Sequence, residues 1–218
     1  MKRSVVLLSS GLDSAVNLFK AKLETQVVLA LTFDYGQRAA PRESERAAQL
    51  CAHLGLRHQL IDLPWFNLFT ETALINRAQE VPTGQVEIDD LNRSKETAKA
   101  VWVPNRNGVF LNIAAAFAEG LGSDWIVPGF NREEAMTFPD NSNEFMQRST
   151  SALAYSTANR VEVHCFTTDM DKTEIFALAL ELKVPIDLIW PCYFAGAEPC
   201  GECESCRRFQ RARRAVGA

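Results

Sequence analysis

The stretch VVLLSSGLDS, residues 5–14, decides the fold class of this chain. Residues 5–8 form a short, continuous apolar run, which is typical of a strand buried on both faces of a parallel sheet. Apolar side chains then recur at helical spacing, which predicts a helix directly after the turn, at Ala15, Leu18, Phe19 and Leu23. Residues 27–33 predict a second buried strand, so the chain begins with a strand–helix–strand unit.

The alternation of strand and helix continues to residue 182. Strands are predicted at residues 58–62, 125–127 and 161–166, and helices at 41–54, 106–121, 143–156 and 171–182. Residues 64–101 loosen the pattern with Pro64, Pro82 and a polar stretch at 89–99, so they are predicted to form an insertion. We therefore predict an α/β fold with a doubly wound, parallel, five-stranded sheet in residues 1–185, followed by a tail and helix in residues 186–218.

The turn at residues 9–14 is a candidate phosphate-binding loop. Ligands of parallel α/β sheets bind beyond the carboxyl ends of the strands. This turn joins such an end to a helix N-terminus, where unpaired backbone N–H groups and the helix dipole favour an anion. The hydroxyls of Ser9 and Ser14 add hydrogen bonds, and Asp13 is suited to holding Mg²⁺ against phosphate oxygens. The alternative is that Asp13 or Ser14 only caps the helix.

The loop matches neither of two common nucleotide motifs, because the chain contains no G-x-x-x-x-G-K-[ST] and no G-x-G-x-x-G. SSGLDS instead resembles the SGGxDS pyrophosphate loop of the N-type ATP pyrophosphatases, which cleave ATP between the α and β phosphates to adenylate a substrate. Ser10 stands where that family has the first of two glycines. If this position requires a positive φ, a serine costs about 1–2 kcal/mol there.

A cluster of cysteines follows the predicted sheet. Four of the six cysteines lie in the tail with the spacing C-x₇-C-x₂-C-x₂-C, at Cys192, Cys200, Cys203 and Cys206. This pattern is typical of a tetrahedral zinc site in a reducing compartment, and an iron–sulfur cluster is the less favoured alternative. The five arginines that follow Cys206 predict a solvated helix whose cations suit its dipole, with RNA contact as the less favoured interpretation.

Together these features resemble the 7-cyano-7-deazaguanine synthase (QueC) family over essentially the whole chain. The C-G-E-C-x-x-C tail joined to a loop of the SGGxDS type is the most specific pair of motifs. Further segments fall where that family has similar ones: FDYGQR at residues 33–38, VPNRN at 103–107, residues 128–140, DKTEI at 171–175 and WPCY at 190–193. The resemblance implies a Rossmann-like fold of the adenine nucleotide alpha hydrolase (HUP) type.

The resemblance also implies an activity. Members are ATP-dependent ligases that convert 7-carboxy-7-deazaguanine and ammonia to 7-cyano-7-deazaguanine through an adenylated carboxylate and an adenylated amide, in the biosynthesis of the tRNA nucleoside queuosine. We therefore expect one structural Zn²⁺ per chain on the four tail cysteines, ATP with Mg²⁺ as co-substrate, and a homodimer. The nucleotide-binding segment carried over comprises Leu8, Ser9, Ser10, Gly11, Leu12, Asp13, Ser14, Ala15, Val16, Asn17 and Leu18.

Other residues are candidates for the chemistry. Arg38, Arg106 and Lys172 lie in segments expected near the carboxyl edge of the sheet, where cations stabilise charge on phosphate, and Asp13 completes the predicted catalytic set. The alternative for each cation is a surface ion pair. Asn131 and Asp140 are candidates for recognising the guanine-like edge of the substrate, since a carboxylate matches paired N–H donors.

Composition limits the remaining alternatives. The 218 residues are 47% hydrophobic and carry a formal net charge of −4, which excludes disorder as the main state and argues against a wholesale polyanion binder. No apolar run approaches the roughly 18 residues of a membrane span, so we expect a cytoplasmic protein with neither membrane nor nucleic-acid partners. Two alternatives stay open: a tRNA-modifying adenylating enzyme of the same superfamily, and a non-catalytic nucleotide-binding protein.

Overall fold

The computed structural model describes residues 1–84 and 98–218 and is built around a parallel sheet of five strands. The strands are β1 (Arg3–Leu7), β2 (Gln26–Asp34), β3 (His58–Asp62), β4 (Trp125–Val127) and β5 (Glu162–Val163). Their order is β3-β2-β1-β4-β5 and every neighbouring pair is parallel. The chain therefore runs outward from β1 to β3 and then crosses to the far side of β1, which confirms the predicted doubly wound sheet. The direction reverses between β1 and β4.

Seven helices that lie wholly within the described residues surround the sheet. They are α1 (Leu12–Glu24), α2 (Ala40–Leu54), α3 (Arg106–Gly120), α4 (Arg132–Ala135), α5 (Asn143–Ser156), α6 (Lys172–Glu181) and α7 (Glu204–Ala215), with short 3₁₀ turns at Pro64–Leu68, Pro139–Asn141 and Ile186–Leu188. Most of the predicted polar stretch at 89–99 lies outside the described residues. None of the described helices is both long and apolar enough to cross a membrane.

Each face of the sheet has its own apolar core. Val6 packs with side chains of α1, α2, α6 and α7, whereas Val5 points to the other face and packs with α3 and Leu153 of α5. Successive strand residues point to opposite faces, so a strand that is apolar at every position serves both cores. The result is a three-layer arrangement whose strand ends converge on one edge.

The fifth strand is shorter than predicted. Residues 161–166 predict a full strand, but only Glu162–Val163 pairs with β4. Phe166 turns away, and its N–H donates to Oδ1 of Asn17 at 2.9 Å, beside the first helix. The prediction was too long because the alternation of apolar residues at Val161, Val163 and Cys165 continues after strand pairing with β4 ends.

Candidate active site

A cavity of about 260 Å³ lies beyond the carboxyl ends of β1, β2 and β4. It is lined by the loops after these strands, where the sequence predicts the functional residues, together with residues of α2, α3, α6 and α7. The cavity spans the point between β1 and β4 where the order of the strands reverses. This is the usual ligand position in an open parallel sheet.

The phosphate loop enters this cavity at the N-terminus of α1. Gly11 is the N-cap residue and no side chain caps the helix, so the interpretation of Asp13 or Ser14 as a simple cap is wrong. Ser14 Oγ instead donates to the carbonyl of Gly11 at 3.0 Å and accepts from the N–H of Ser9 at 3.2 Å. The first N–H groups of a helix have no partner within it, so this end is available for an anion.

The predicted nucleotide segment divides between the cavity and the core. Its cavity-lining members are Leu8, Ser9, Gly11, Leu12, Asp13 and Ser14. The remaining helical residues point elsewhere: Ala15, Val16 and Leu18 belong to the apolar core, and Asn17 donates to the carbonyl of Asp13 and to Thr167. These four residues hold the helix against the sheet.

Ser10 has a strained backbone. Its φ is 59°, in the left-handed region that favours glycine. The residue is fully buried, and its Oγ has no hydrogen-bond partner among the described residues. Its carbonyl accepts from the N–H of Trp190 at 2.9 Å, which ties the loop to the C-terminal tail. Because φ is positive here, a serine at this position lowers the free energy of unfolding relative to a residue without this strain.

Gly129, in the loop after β4, packs directly on the phosphate loop. A Cβ at this position would lie 2.6 Å from the backbone nitrogen of Ser14. Only a glycine allows so close an approach. This residue was not among those predicted from the sequence, although a glycine two residues after a predicted strand was a usable signal.

Asp13 and Lys172 form a buried ion pair at the cavity. Lys172 Nζ donates to Oδ2 of Asp13 and to Oε1 of Glu134, the latter at 2.9 Å, and Asn131 Nδ2 donates to Asp13 Oδ2 at 3.1 Å. Burial raises the pKa of Asp13 to about 6, against the opposing effect of the Lys172 charge. Burial lowers the pKa of Lys172, but the carboxylates of Asp13 and Glu134 outweigh it and hold that pKa above its usual value.

The other carboxylate oxygen of Asp13 is suited to a cation. Oδ1 is buried and has no hydrogen-bond partner among the described residues. A buried, unpaired carboxylate oxygen beside a phosphate loop is the kind of ligand that Mg²⁺ takes. This oxygen therefore fits the predicted magnesium.

A second polar group lines the cavity beyond β2. Arg106 Nη1 donates to the hydroxyl of Tyr35 at 3.2 Å, and Gln37 Nε2 donates to Oε2 of Glu43 at 2.8 Å. Burial raises the pKa of Glu43 to about 7, opposed by the Gln37 hydrogen bond and the Arg106 charge. Arg106 is thus placed at the cavity, and Tyr35 and Glu43 are neighbours that were not predicted from the sequence.

Three predicted residues lie apart from the lining of the cavity. Arg38 directs its guanidinium to the carbonyls of Ala73, Asn76 and Gln79. Asn131 is fully buried, and both ends of its amide are used, on Asp13 and on the N–H of Glu134. Asp140 does not line the cavity, and burial raises its pKa against the charge of Arg106.

The four tail cysteines converge. Their sulfur atoms all lie within 4.8 Å of one another, and Cys200 and Cys206 are 4.0 Å apart. All four are free thiols, and backbone N–H groups donate to Cys192 and Cys200. Four sulfurs this close to one another can bind a metal ion.

The arginines of α7 are less solvated than predicted. Arg208 is buried and pairs with Glu204 at 2.8 Å and with Glu133 at 2.9 Å. Arg211 donates to Glu133 as well, and the same carboxylate accepts from the N–H of Lys172 at 2.9 Å. The interpretation of these arginines as solvated cations is therefore wrong for Arg208, because α7 packs against the site and its cations neutralise Glu133 and Glu204.

Comparison with known proteins decides the family. The model of queuosine biosynthesis protein QueC matches residues 3–217. The chain belongs to the QueC family. A 7-cyano-7-deazaguanine synthase of Bdellovibrio bacteriovorus is 57% identical over 97% of this chain and 92% of its own length, and one of Pelotomaculum thermopropionicum is 52% identical over 99% and 98%.

Solved structures with low identity show that the QueC fold is shared more widely. A 4-thiouridine synthetase in complex with RNA and ATP superposes with a TM-score of 0.54 at 19% identity, over 99% of this chain and 50% of that one. An NMN synthetase from Francisella tularensis gives a TM-score of 0.50 at 14% identity, over 98% and 84%. This likeness concerns the fold alone.

Proposed function

We propose that the protein is an ATP-dependent ligase that converts 7-carboxy-7-deazaguanine and ammonia to 7-cyano-7-deazaguanine. The observation that carries the proposal is the buried Asp13–Lys172 pair at the end of the phosphate loop. This pair lies at the cavity between β1 and β4, where the order of the strands reverses. Membership of the QueC family and the names of the relatives support the same reaction.

The chemistry explains why a phosphate site is needed. A carboxylate resists attack by ammonia, because its carbon is electron-rich and oxide is a very poor leaving group. Attack of the carboxylate oxygen on the α-phosphorus releases pyrophosphate and leaves an acyl adenylate. Ammonia then adds to the acyl carbon and expels AMP, giving an amide and a proton. The amide oxygen then attacks the α-phosphorus of a second ATP and releases a second pyrophosphate, and loss of AMP together with the two amide N–H protons gives the nitrile.

The residues of this chain stabilise the charges that develop during these reaction steps. The N–H groups at the start of α1 receive the phosphates that leave as pyrophosphate, and Lys172 stabilises the charge that develops on them. Arg106 faces the cavity from α3 and adds a second cation. Magnesium held by Asp13 would neutralise phosphate charge as the bond between the α and β phosphates breaks.

We assign zinc to the four cysteines. Structural zinc takes four thiolates in a tetrahedron, and the convergence of Cys192, Cys200, Cys203 and Cys206 supports one ion per chain. The free state of all six cysteines fits a cytoplasmic protein. Exposed apolar side chains at Trp65, Leu68 and Phe69 offer a surface for a second copy, in keeping with a homodimer.

Two substrates distinguish this proposal from its main rival. We expect purified protein with ATP, Mg²⁺ and ammonium to form the nitrile from 7-carboxy-7-deazaguanine, and to consume no ATP with unmodified tRNA. Asp13→Ala removes the nitrile-forming activity. Turnover with tRNA alone would establish the tRNA-modifying alternative, and an Asp13→Ala variant as active as the wild type would show that the loop is misassigned. A wild type inactive with both substrates would favour the non-catalytic alternative.

A further inference from the structure

One wall of the cavity is aromatic. Phe33 at the end of β2 stacks on Phe110 of α3, with ring centroids 4.2 Å apart, and Tyr35 lies 5.5 Å from the same Phe110 ring. Leu74 and Val101 add aliphatic surface to the lining. A planar heterocycle packs well on such a surface, since aromatic rings favour offset stacking.

The carboxylate of Glu43 lies at this wall, where its charge acts on Tyr35. Its Oε2 accepts from Gln37, whereas Oε1 accepts no hydrogen bond from any described residue. The charge of Arg106 acts on it, but Glu43 has no ion-pair partner among the described residues. A half-buried carboxylate that lacks a cation is stabilised by N–H donors that reach it.

We propose, on the basis of the proposed function, that Glu43 determines the specificity for the deazaguanine ring. Its carboxylate accepts the N1–H and the exocyclic 2-amino group, while the ring packs against Phe110 and Tyr35. Two N–H donors side by side are the hydrogen-bonding pattern of a guanine-type edge, and a carboxylate is their natural acceptor.

The adenine of ATP is a poorer match for the same carboxylate. Its Watson–Crick edge pairs one amino donor with the N1 acceptor, which a carboxylate repels. Asn131 is used by Asp13 and Glu134, and Asp140 does not line the cavity. Among the three carboxylate and amide residues considered for the ring, Glu43 is the one that lines the cavity.

The test compares two substrates that differ only in the 2-amino group: 7-carboxy-7-deazaguanine and 7-carboxy-7-deazahypoxanthine. For the wild type at about pH 8, where Glu43 is mainly ionised, we expect kcat/KM to favour the amino compound by about 10- to 100-fold, the value of a hydrogen bond to a charged group. Glu43→Gln replaces one acceptor by a donor, so this preference falls to within about threefold and the KM for the amino compound rises.

Glu45→Gln is the matched control, because Glu45 lies on the same helix and pairs with Arg42 at the surface. It keeps the wild-type preference. Thermal unfolding of each variant shows whether it is folded. If Glu43→Gln does not fold, the wild type alone still tests the proposal, since equal efficiency with both substrates would refute it.

Other outcomes of these experiments also test the role of Glu43. A Glu43→Gln variant that keeps the preference would overturn the proposal. A rise confined to the KM for ATP would place adenine at this wall, and a fall confined to kcat would assign Glu43 to the ammonia step. A wild type that forms no nitrile from either compound refutes the proposed function itself, which is a distinct result.

Discussion

The backbone N–H of Trp190 donates to the carbonyl oxygen of Ser10 at 2.9 Å, so the chain that leads to the cysteine cluster is fixed to the phosphate loop. Cys192 lies two residues further and also lines the cavity. The cysteine cluster is therefore linked to the loop at residues 9–14 through Trp190.

Loss of the metal is expected to weaken ATP binding. Cys203→Ser removes one ligand, and the released tail no longer holds Ser10, so the KM for ATP rises about five- to tenfold, the value of one net hydrogen bond. Metal analysis, thermal unfolding and steady-state kinetics measure these effects. Cys165→Ser, at a cysteine outside the cluster, retains about one metal per chain.

Chelation of the wild type provides the same test if Cys203→Ser is insoluble. Metal-free protein with an unchanged unfolding temperature and KM for ATP would contradict the supporting role. Iron and sulfide in place of zinc would refute the assignment of the metal.

Lys172→Gln is expected to damage both stability and catalysis. The variant leaves Asp13 and Glu134 facing each other without their cation, which costs about 3–5 kcal/mol in the free energy of unfolding. Loss of charge stabilisation at the phosphates lowers kcat by about 10²–10³. Denaturant unfolding and steady-state kinetics measure the two effects separately.

Lys20→Gln is the control for Lys172→Gln. Lys20 pairs with Glu24 at the helix surface, and exposed pairs of this kind contribute about 0.3–0.5 kcal/mol. If Lys172→Gln matches this control in both its free energy of unfolding and its kcat, the role given to Lys172 is refuted.

Two substitutions at Ser10 separate backbone strain from the buried hydroxyl. Ser10→Ala and Ser10→Gly both remove the unpartnered Oγ, but only glycine relieves the positive φ. We expect Ser10→Gly to be more stable than Ser10→Ala by about 0.5–1 kcal/mol, the cost of a left-handed residue less the entropy of glycine. Equal stability of the two variants would show that the loop does not hold this residue in a left-handed conformation in solution.

Gly129→Ala is expected to displace the phosphate loop. The added methyl meets backbone atoms of Ser14, which can move only with α1. A displacement of about 1 Å reduces kcat/KM by about 100-fold. Gly120→Ala is the control, because a Cβ there has no neighbour within 4 Å. Kinetics of Gly129→Ala that match this control would show that the loop and Gly129 are not in close contact.

The ionisation of Glu43 gives stability a pH dependence. Its pKa is raised from 4.5 to about 7 on folding, so between these values the folded state binds more protons than the unfolded state. The stability that this group contributes therefore falls as the pH rises through this range, by about 1.4 kcal/mol for each pH unit. Urea unfolding at about pH 5 and pH 8 measures the change.

The Glu43→Gln variant isolates this contribution. Subtraction of its unfolding free energies from those of the wild type at each pH removes the effects of Asp13 and the other groups. We expect the wild type to lose about 2–3 kcal/mol relative to the variant between the two pH values. A difference that does not change with pH would mean that Glu43 titrates normally.

The elements were largely predictable because their signals are local. Helix α2 ends at Leu54, directly before Gly55, whose φ is 65°, and a glycine after the periodic run predicts this end. The strand at 58–62 and the helix at 143–156 have the predicted bounds. The fifth strand was predicted too long because the alternating pattern of residues 161–166 continues after strand pairing ends.

The site was predictable only where its residues are contiguous. The phosphate loop and the cysteine tail are short motifs. Lys172 and Asp13 are separated by 159 positions, and although both were chosen, nothing local shows that they meet. Glu134 and Glu43 appear in sequence as ordinary helix-start acids, and only the fold places Glu134 beside Lys172 and turns Glu43 into the cavity.

A crystal structure with Mg²⁺ and an ATP analogue whose α–β bridging oxygen is replaced by methylene tests the central claim most directly. The account predicts the β and γ phosphates on the N–H groups of residues 11–14, with Lys172 Nζ within ion-pair distance of a phosphate oxygen. A triphosphate bound away from residues 9–14, or density for this loop closed against Gly129 with no room for phosphate, would contradict it.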